Sequence, residues 1–537
     1  MEVFHLARGT QIINGTEYVY EYDSTWNSEK KRAEHNRTYI GKMSDGVFLP
    51  NKKYLLQMEL DAERGLSRKK GPAPSLEYKR DFYGATYLFD AIGQKLGVTD
   101  DLARCFPDTY RQILSVAYYL IMEDCNPLSR FPRWALTHRH PYGKDIPSQR
   151  SSELFGGIRE DNKQRFFQLQ ASRRMENEYL AYDTTSISSY SKSIKQVRYG
   201  VNKDHDHLPQ INLAMVFGES SRLPVCFRKL PGNIADVTTM DGLLREMDFL
   251  NIEKVKLVMD RGFYSQANIN EMYRRHYKFV IAAKKSLKFV KERLDQIRGT
   301  ILSRKNYSSR HGLHFDTCLM DWNYTETKPR SGEIVKDTRR MYLHIYYNAQ
   351  RNADDVTAFN KYLDNLEDEL LSGKRNPEHE KNYHRYFTIK DTPARGISLE
   401  PKQEAIDQAE QDYGFFALIS NGVKDPLEAL DIYRAKDLIE KAFNNLKERL
   451  NLRRTSVASE ENLDGKLFVQ FIALIYLSYI QKAMSDNGLF KDMTMHELLD
   501  QLDVIERFEQ PGKKYHLGEI TLKQRNLYAL LGVDVPA

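Results

Sequence analysis

A mixed α/β fold, one sheet with helices packed against it, is the class that three observations predict. Between Glu178 and Ala283 short apolar runs bounded by turn residues alternate with helix-periodic stretches. A region of dense helical periodicity precedes them from Tyr83 to about Arg174, and a shorter β-patterned region precedes that. An apolar run, Phe468–Ile480, returns late in the chain as a closing core helix.

Residues 1–58 alternate in places, as in Tyr18-Val19-Tyr20-Glu21-Tyr22 and Thr38-Tyr39-Ile40, with Ser44-Asp45-Gly46 as a turn. This predicts a small β-rich module. Arg68-Lys69-Lys70 followed by Gly71-Pro72-Ala73-Pro74 reads as a basic linker, either solvated or touching a phosphate backbone. Helices are predicted at Tyr87-Leu88-Phe89, Thr109–Met122, Ser148–Ile158 and Asp161–Gln170. Ser148-Gln149-Arg150-Ser151 can open a DNA-reading helix, though a plain bundle has the same pattern.

The α/β region follows in order. Tyr179–Thr184, Gln210–Phe217 and Leu223–Leu230 are strands, and Pro231-Gly232-Asn233 is a turn. Asp236 is expected to cap a helix running to about Leu250. Val255–Met259 is a fourth strand, Gln266–Arg275 a helix and Lys278–Ala283 a fifth strand. After the basic run Lys284-Lys285-Ser286-Leu287-Lys288 the rhythm lapses until about Asp412, which suggests an inserted subdomain. Strand Phe415–Ser420 resumes the plan and Met493–Ala537 reads as a helical tail. The expected organisation is thus 1–70, module and linker; 71–175, helical and DNA-binding; 176–285, first part of the catalytic sheet; 286–412, insertion; 413–485, second part; 486–537, tail.

At 537 residues the chain exceeds a single core, and its 29% charged and 41% hydrophobic content excludes a disordered chain. A net charge of +6 is compatible with nucleic acid without requiring it. Cys105, Cys125, Cys226 and Cys318 never form Cys-x-x-Cys, which argues against a zinc ribbon or a disulfide framework. The first residues lack the apolar core of a signal peptide, and the Phe468–Ile480 run is short for a bilayer. A soluble protein of the cell interior, with no membrane partner, is therefore expected. No P-loop pattern occurs, so no nucleotide cofactor is expected.

The chemistry concentrates in Tyr433–Lys447. Asp425-Pro426 supplies an N-cap and a proline for its helix. On an ideal helix Tyr433, Lys436, Glu440 and Lys447 lie within about 60° of one another. Ile432, Ile439, Ala442, Phe443, Leu446 and Leu450 make a neighbouring apolar stripe. An amphipathic helix with i,i+4 charge pairs has the same appearance. Upstream, Asp183 and Asp260 each follow an apolar run, at the expected ends of the first and fourth strands. There they are either turn or cap residues or carboxylates converging at one sheet edge. With Glu440 they make three oxygen donors of the kind hard divalent ions take. Two such ions about 3.5–4 Å apart stabilise the attacking and leaving oxygens of phosphoryl transfer. His205 and His207, beside Asp204 and Asp206, fit a metal site or a solvated loop.

Tyr182-Asp183-Thr184-Thr185-Ser186, Gly200 with Lys203-Asp204-His205, Pro231-Gly232-Asn233 with Asp236, and Asp260-Arg261-Gly262-Phe263-Tyr264 together resemble the DDE transposases of bacterial insertion sequences. In particular, Tyr433, Lys436, Glu440 and Lys447 match the spacing of the group with a Tyr-x2-Arg-x3-Glu-x6-Lys signature. The resemblance implies a ribonuclease-H-like catalytic fold split by an insertion, and two magnesium ions, replaceable by manganese. Asp183, Asp260 and Glu440 would be the metal ligands, and Tyr433, Lys436 and Lys447 would contact DNA. It further implies a homodimer on double-stranded DNA, binding element ends and target, in a bacterial cytoplasm. Lys436 stands where the signature has Arg, keeping the charge and losing the planar fork. Family members often insert an aromatic near a flipped base, for which Trp322 is a candidate unless it packs in a core. The function expected is cleavage of element ends and transfer of the 3′ ends to target DNA. The alternatives are a metal-dependent nuclease or resolvase of the same fold, a catalytically silent DNA-binding derivative, or a two-carboxylate glycosidase.

Overall fold

A computed structural model describes residues 7–27, 32–44, 46–63, 79–124, 126–174, 178–204, 206–250, 255–328, 332–392, 396–455, 457, 459–510 and 513–537. The chain divides into two compact units, Met1–Glu77 and Tyr78–Ala537.

In the first unit four antiparallel strands pair in chain order: Ala7–Ile13, Thr16–Asn27, Arg32–Ser44 and Val47–Pro50. Asn14 and Gly15 both hold positive φ, which closes the two-residue hairpin between Ile13 and Thr16. A helix, Lys52–Glu63, follows the sheet. The basic linker expected at Arg68–Pro74 lies outside the described residues.

The second unit is built around α3, Glu460–Asp486, which we number after the two helices of the site described below. Ser459 caps it by accepting from the Asn462 amide, so it begins eight residues before the apolar run that revealed it. One side of α3 meets the helices Gly84–Lys95, Tyr110–Met122, Ser148–Gly156 and Glu160–Arg174, with Val98–Cys105 packed behind them. There Phe106 and Phe166 pack on Phe468 at 5.2 and 5.5 Å between ring centroids. On another side Phe471 meets Phe227 of the main sheet at 5.2 Å. A helix enclosed by a bundle and a sheet must be apolar all round, and the middle of this one, Leu467–Ile480, is so apart from Gln470 and Ser478. Among the described residues it is the one helix long and apolar enough to cross a membrane, yet 78% of its most apolar window is buried in the protein.

Beyond α3 the expected helical tail contains helices Met495–Asp503 and Leu522–Leu530, each opened by a capping box. It also holds two strands, Glu506–Glu509 and His516–Leu517. The first of them pairs antiparallel with Lys79–Phe82, so the end of the chain closes on the start of the unit. Such a pairing leaves no local pattern.

The main sheet contains β1 (Leu180–Ser189), β2 (Gln210–Gly218), β3 (Pro224–Pro231), β4 (Lys256–Met259), β5 (Lys278–Ala283), β6 (Leu313–Thr327), β7 (Ile334–Tyr347) and β8 (Phe415–Ser420). Their order across the sheet is β6-β7-β8-β5-β4-β1-β2-β3. β1, β4 and β5 run parallel, and the remaining neighbours are antiparallel. The expected α/β sheet is therefore present, but the segment expected as a separate insertion contributes β6 and β7 to it. These strands join because β7 pairs with β8, some seventy positions later in the chain. Between β7 and β8 a small second core forms from Phe359, Leu363, Leu366, Leu370, Tyr383 and Tyr386 with their neighbours. Trp322, the candidate for a flipped-base contact, is 6% exposed in β6, and its indole N–H donates to Asn270 Oδ1 at 2.8 Å.

At Gly465 α3 and the bundle approach closely: a Cβ there would lie 2.1 Å from the Phe155 carbonyl oxygen. Gly465→Ala is expected to destabilise the protein by about 1–3 kcal/mol, overriding the helix preference for alanine. A thermal midpoint equal to or above that of wild type would contradict this packing.

Candidate active site

The site begins with the pairing of β1 and β4. Their parallel register sets Leu180 beside Leu257, Ala181 beside Val258 and Tyr182 beside Met259. One step further, where β4 ends, come Asp183 and Asp260 on neighbouring strands roughly 5 Å apart. β1 does not stop there. It continues to Ser189 with β2 alongside, so Asp183 sits inside a strand and not at its end as the sequence suggested. Asp260 turns out of the sheet into a short turn and accepts the Arg261 amide on Oδ1 at 2.7 Å. Asp183 Oδ1 accepts the Thr184 amide at 2.7 Å.

Glu440 arrives from the far end of the chain. Helix α1, Pro426–Ala435, starts as expected, with Asp425 accepting the Leu427 amide. Lys436 joins it to α2, Asp437–Asn444, and a π-helical turn spans Asn445–Arg449. The apolar stripe from Ile432 to Leu450 is buried. The expected uninterrupted helix is thus replaced by two helices and a wide turn, and the wide turn shifts the phase of everything after Asn444.

Two carboxylates meet one ammonium, and a third acts on its charge. Lys436 Nζ donates to Glu440 Oε1 at 3.3 Å and lies 4.0 Å from Asp260 Oδ2. Burial works against the charge of this lysine, which is 8% exposed. The charges of Asp260, Asp183 and Glu440 outweigh that burial and hold its pKa above the ordinary value. Burial likewise raises Asp183, opposed by Lys203, the Thr184 amide and Lys436. Tyr433 O–H donates to Asp260 Oδ1 at 3.0 Å. Burial, then the neighbouring Asp260 charge, push this phenol far above its usual pKa, so it stays a donor.

Two further residues complete the cluster. Lys203 Nζ donates to the Thr184 carbonyl at 2.7 Å, to Thr184 Oγ1 at 2.8 Å and to Asp183 Oδ1 at 3.4 Å. It also lies 3.3 Å from Asp236 Oδ2. The Thr184 hydroxyl donates to Asp236 Oδ1 at 2.5 Å. Asp236 was expected to cap a helix. It lies instead within a 3-10 turn behind Ala235, with its carboxylate given to Thr184 and Lys203. Neither residue was singled out as a candidate, because a loop lysine and a turn aspartate follow no periodicity. The signal available was their position in the stretches that carry the transposase resemblance.

Lys447 is placed differently. It is 8% exposed, and its ammonium lies 2.8 and 2.6 Å from the two oxygens of Asp204, the residue after Lys203. Arg454 holds Asp206 at 3.0 Å in the same loop. The loop between β1 and β2 is thereby tied to the segment following α2. His205 lies outside the described residues.

The donor set is all oxygen, which suits a hard divalent cation. The Asp260 and Glu440 side chains are 44% and 60% exposed, leaving room for water and a substrate oxygen. Among the described residues no three such side chains already close into a metal cage. The charge they surround is the Lys436 ammonium, on a four-carbon stem that can swing aside. The residues present therefore fit such an ion once that lysine moves.

No curated protein matches the chain. Among solved structures, a piggyBac transposase synaptic complex with hairpin DNA matches with 10% identity and a TM-score of 0.34, covering 82% of this chain and 74% of that one. That likeness is too loose to carry any argument. The model of the family described as "Transposase DDE domain" matches residues 176–476, which include all of β1 to β8, both site helices and most of α3. Over more than half of its length, then, the chain belongs to the DDE transposase family.

Proposed function

We propose that this protein is a DNA transposase that hydrolyses phosphodiesters at the ends of an insertion sequence and transfers the freed 3′ ends to target DNA. The observation that carries the reading is the gathering of three carboxylates from distant segments: Asp183 and Asp260 at the paired strands β1 and β4, and Glu440 linked to Asp260 through the Lys436 ammonium. Asp183, Asp260 and Glu440 would hold two Mg2+ ions, for which Mn2+ can substitute. Bound there, such ions polarise a phosphoryl oxygen and lower the pKa of water and of a 3′ hydroxyl. Tyr433 orients Asp260, and Lys203 with Thr184 and Asp236 orients Asp183. Lys436, on leaving the carboxylates, meets a DNA phosphate. The spacing of Tyr433, Lys436, Glu440 and Lys447, with lysine in the place of the arginine, supports the insertion-sequence group with the Tyr-x2-Arg-x3-Glu-x6-Lys signature. The antiparallel β1-β2-β3 meander beside parallel β4 and β5 supports a ribonuclease-H-like catalytic fold. Double-stranded DNA is the partner, gripped by a homodimer with help from the bundle of residues 84–174.

The decisive experiment uses a plasmid carrying the DNA that flanks the coding region in its genome, with Mg2+ present. Asp183→Asn, Asp260→Asn and Glu440→Gln should each abolish cleavage and strand transfer while DNA binding persists. Full activity in any of the three sinks the reading, and cleavage without joining of a precut end would make the protein a nuclease instead.

Lys436→Gln leaves the carboxylates facing one another. Its thermal midpoint should fall below wild type in chelator and recover as Mg2+ or Mn2+ is added, the gain rising with the logarithm of ion concentration. A midpoint indifferent to divalent ions would count against metal binding at this place. Lys447→Met strands the Asp204 carboxylate and should cost about 1–3 kcal/mol. Its DNA-binding salt slope should match wild type, because its charge is already taken by Asp204. A slope flatter by about one would assign it a phosphate contact.

A further inference from the structure

The basic run after β5 has no part in the site so far described. In the fold, the end of β5, the start of β8 and the Asp260-Arg261 turn enclose a cavity of about 500 Å³ that opens beside Asp260. Arg261, Lys284, Lys285 and Arg351 surround it, against the single carboxylate of Asp260. Lys285 is partly committed: its ammonium donates to the Asp412 carbonyl at 2.6 Å and feels the charges of Asp412 and Asp355. Arg261, Lys284 and Arg351 are exposed, and among the described residues no carboxylate lies within ion-pair distance of them. Arg351 is braced by lying over the Phe416 ring, 5.3 Å from its centroid. Phe416 is in turn stacked on Tyr346 at 4.8 Å.

Like charges gathered at one opening repel unless an anion joins them. Here they are close enough that Arg351 and Arg261 both act against the charge of Lys285, after burial itself. The lining is not wholly polar, since Ala283, Leu418 and Phe416 contribute apolar surface. A single phosphate ion has no use for that surface, whereas a nucleotide has a use for both.

We propose that this cavity is the subsite for the nucleotide next to the scissile phosphate, its phosphodiester held by Arg261, Lys284 and Arg351. The assignment rests on the transposase reading above. It adds that the strand being cut runs from Asp260 toward the end of β5 and the start of β8. Three cations for one nucleotide suit a backbone that must hold still while the adjoining bond is exchanged. Roughly 300–1,000 Å³ is the usual range of pockets that enclose a small ligand, and a nucleotide falls within it.

The test uses Lys284→Gln combined with Arg351→Gln, leaving Arg261 untouched because it adjoins Asp260. Anisotropy measures binding of a labelled duplex carrying the DNA that flanks the coding region, over a range of salt concentrations. The double variant should bind more weakly, with the slope of log affinity against log salt flatter by about one, the single phosphodiester held there. The charge-preserving pair Lys284→Arg and Arg351→Lys should restore the wild-type slope, which excludes a folding defect. A wild-type slope in the glutamine variant overturns the subsite, even if wild type binds and cuts DNA as proposed. Wild type that binds no DNA overturns both readings. Titration with inorganic phosphate supplies the last arm. Phosphate binding lost in the glutamine variant, with the DNA slope unchanged, would make the cavity a free-anion site and sink the assignment to DNA.

Discussion

The register between β1 and β4 is the constraint from which the rest follows. Because Tyr182 pairs with Met259, the next residue on each strand is an aspartate, and two negative charges are forced side by side. Adjacent carboxylates are costly unless cations or hydrogen-bond donors answer them. The molecule answers from both sides. Lys203 comes from the loop between β1 and β2, and Lys436 and Tyr433 come from the late helices. Segments more than two hundred residues apart are thus drawn together by one electrostatic need. The ties at Lys447–Asp204 and Arg454–Asp206 then hold the loop that delivers Lys203 against the segment after α2. The same late segment therefore supports the acidic pair directly, through Lys436, and indirectly, through the loop it anchors.

The break at Lys436 has a consequence for the signature. On an unbroken helix all four signature residues share a rim, and Lys447 would face the carboxylates. The π turn at Asn445–Arg449 adds a residue to the hydrogen-bonded ring and turns Lys447 toward Asp204. Burial of Leu446 and Leu450 on the apolar side is kept through the turn. The wider turn reconciles two demands that a regular helix meets less well: a continuous apolar face, and a lysine aimed at the β1–β2 loop.

Much of the architecture was legible in the pattern of residues. β2 and β5 were found at or within a residue of their ends because each is a short apolar run closed by turn residues. β1 was cut short because its second half, Thr184 to Ser189, is polar. Those side chains are nonetheless buried, and Ser186 and Ser188 are satisfied by Asn212 and Asn202. A polar strand buried by side-chain hydrogen bonds resembles a loop to any hydrophobicity pattern. β6 and β7 were set apart because their place depends on pairing with β8, which no local window contains. At the site, Asp183 and Asp260 stood out after apolar runs, whereas Glu440 was one acid among several on an amphipathic helix. Its helical spacing with Tyr433, Lys436 and Lys447 marked it, and the family resemblance then gave it a role. Lys203 and Asp236 were missed as participants because what distinguishes them is their distance to Thr184.

The lysine at position 436, where the signature has arginine, makes physical sense in this setting. An arginine presents a planar fork that pairs best with one carboxylate, two bonds at a time. A fork paired with one carboxylate leaves the charges of the others unanswered. An ammonium is compact and nearly spherical, and it can face Glu440 at 3.3 Å and Asp260 at 4.0 Å while remaining in the field of Asp183. It balances the cluster without committing to any member, so no single strong bidentate pair has to be broken when it leaves. If the site exchanges its internal cation for a divalent ion, as proposed, that loose balance serves it better than a tight fork. The departure from the signature thus belongs with the convergence of Asp183, Asp260 and Glu440 as part of one electrostatic arrangement.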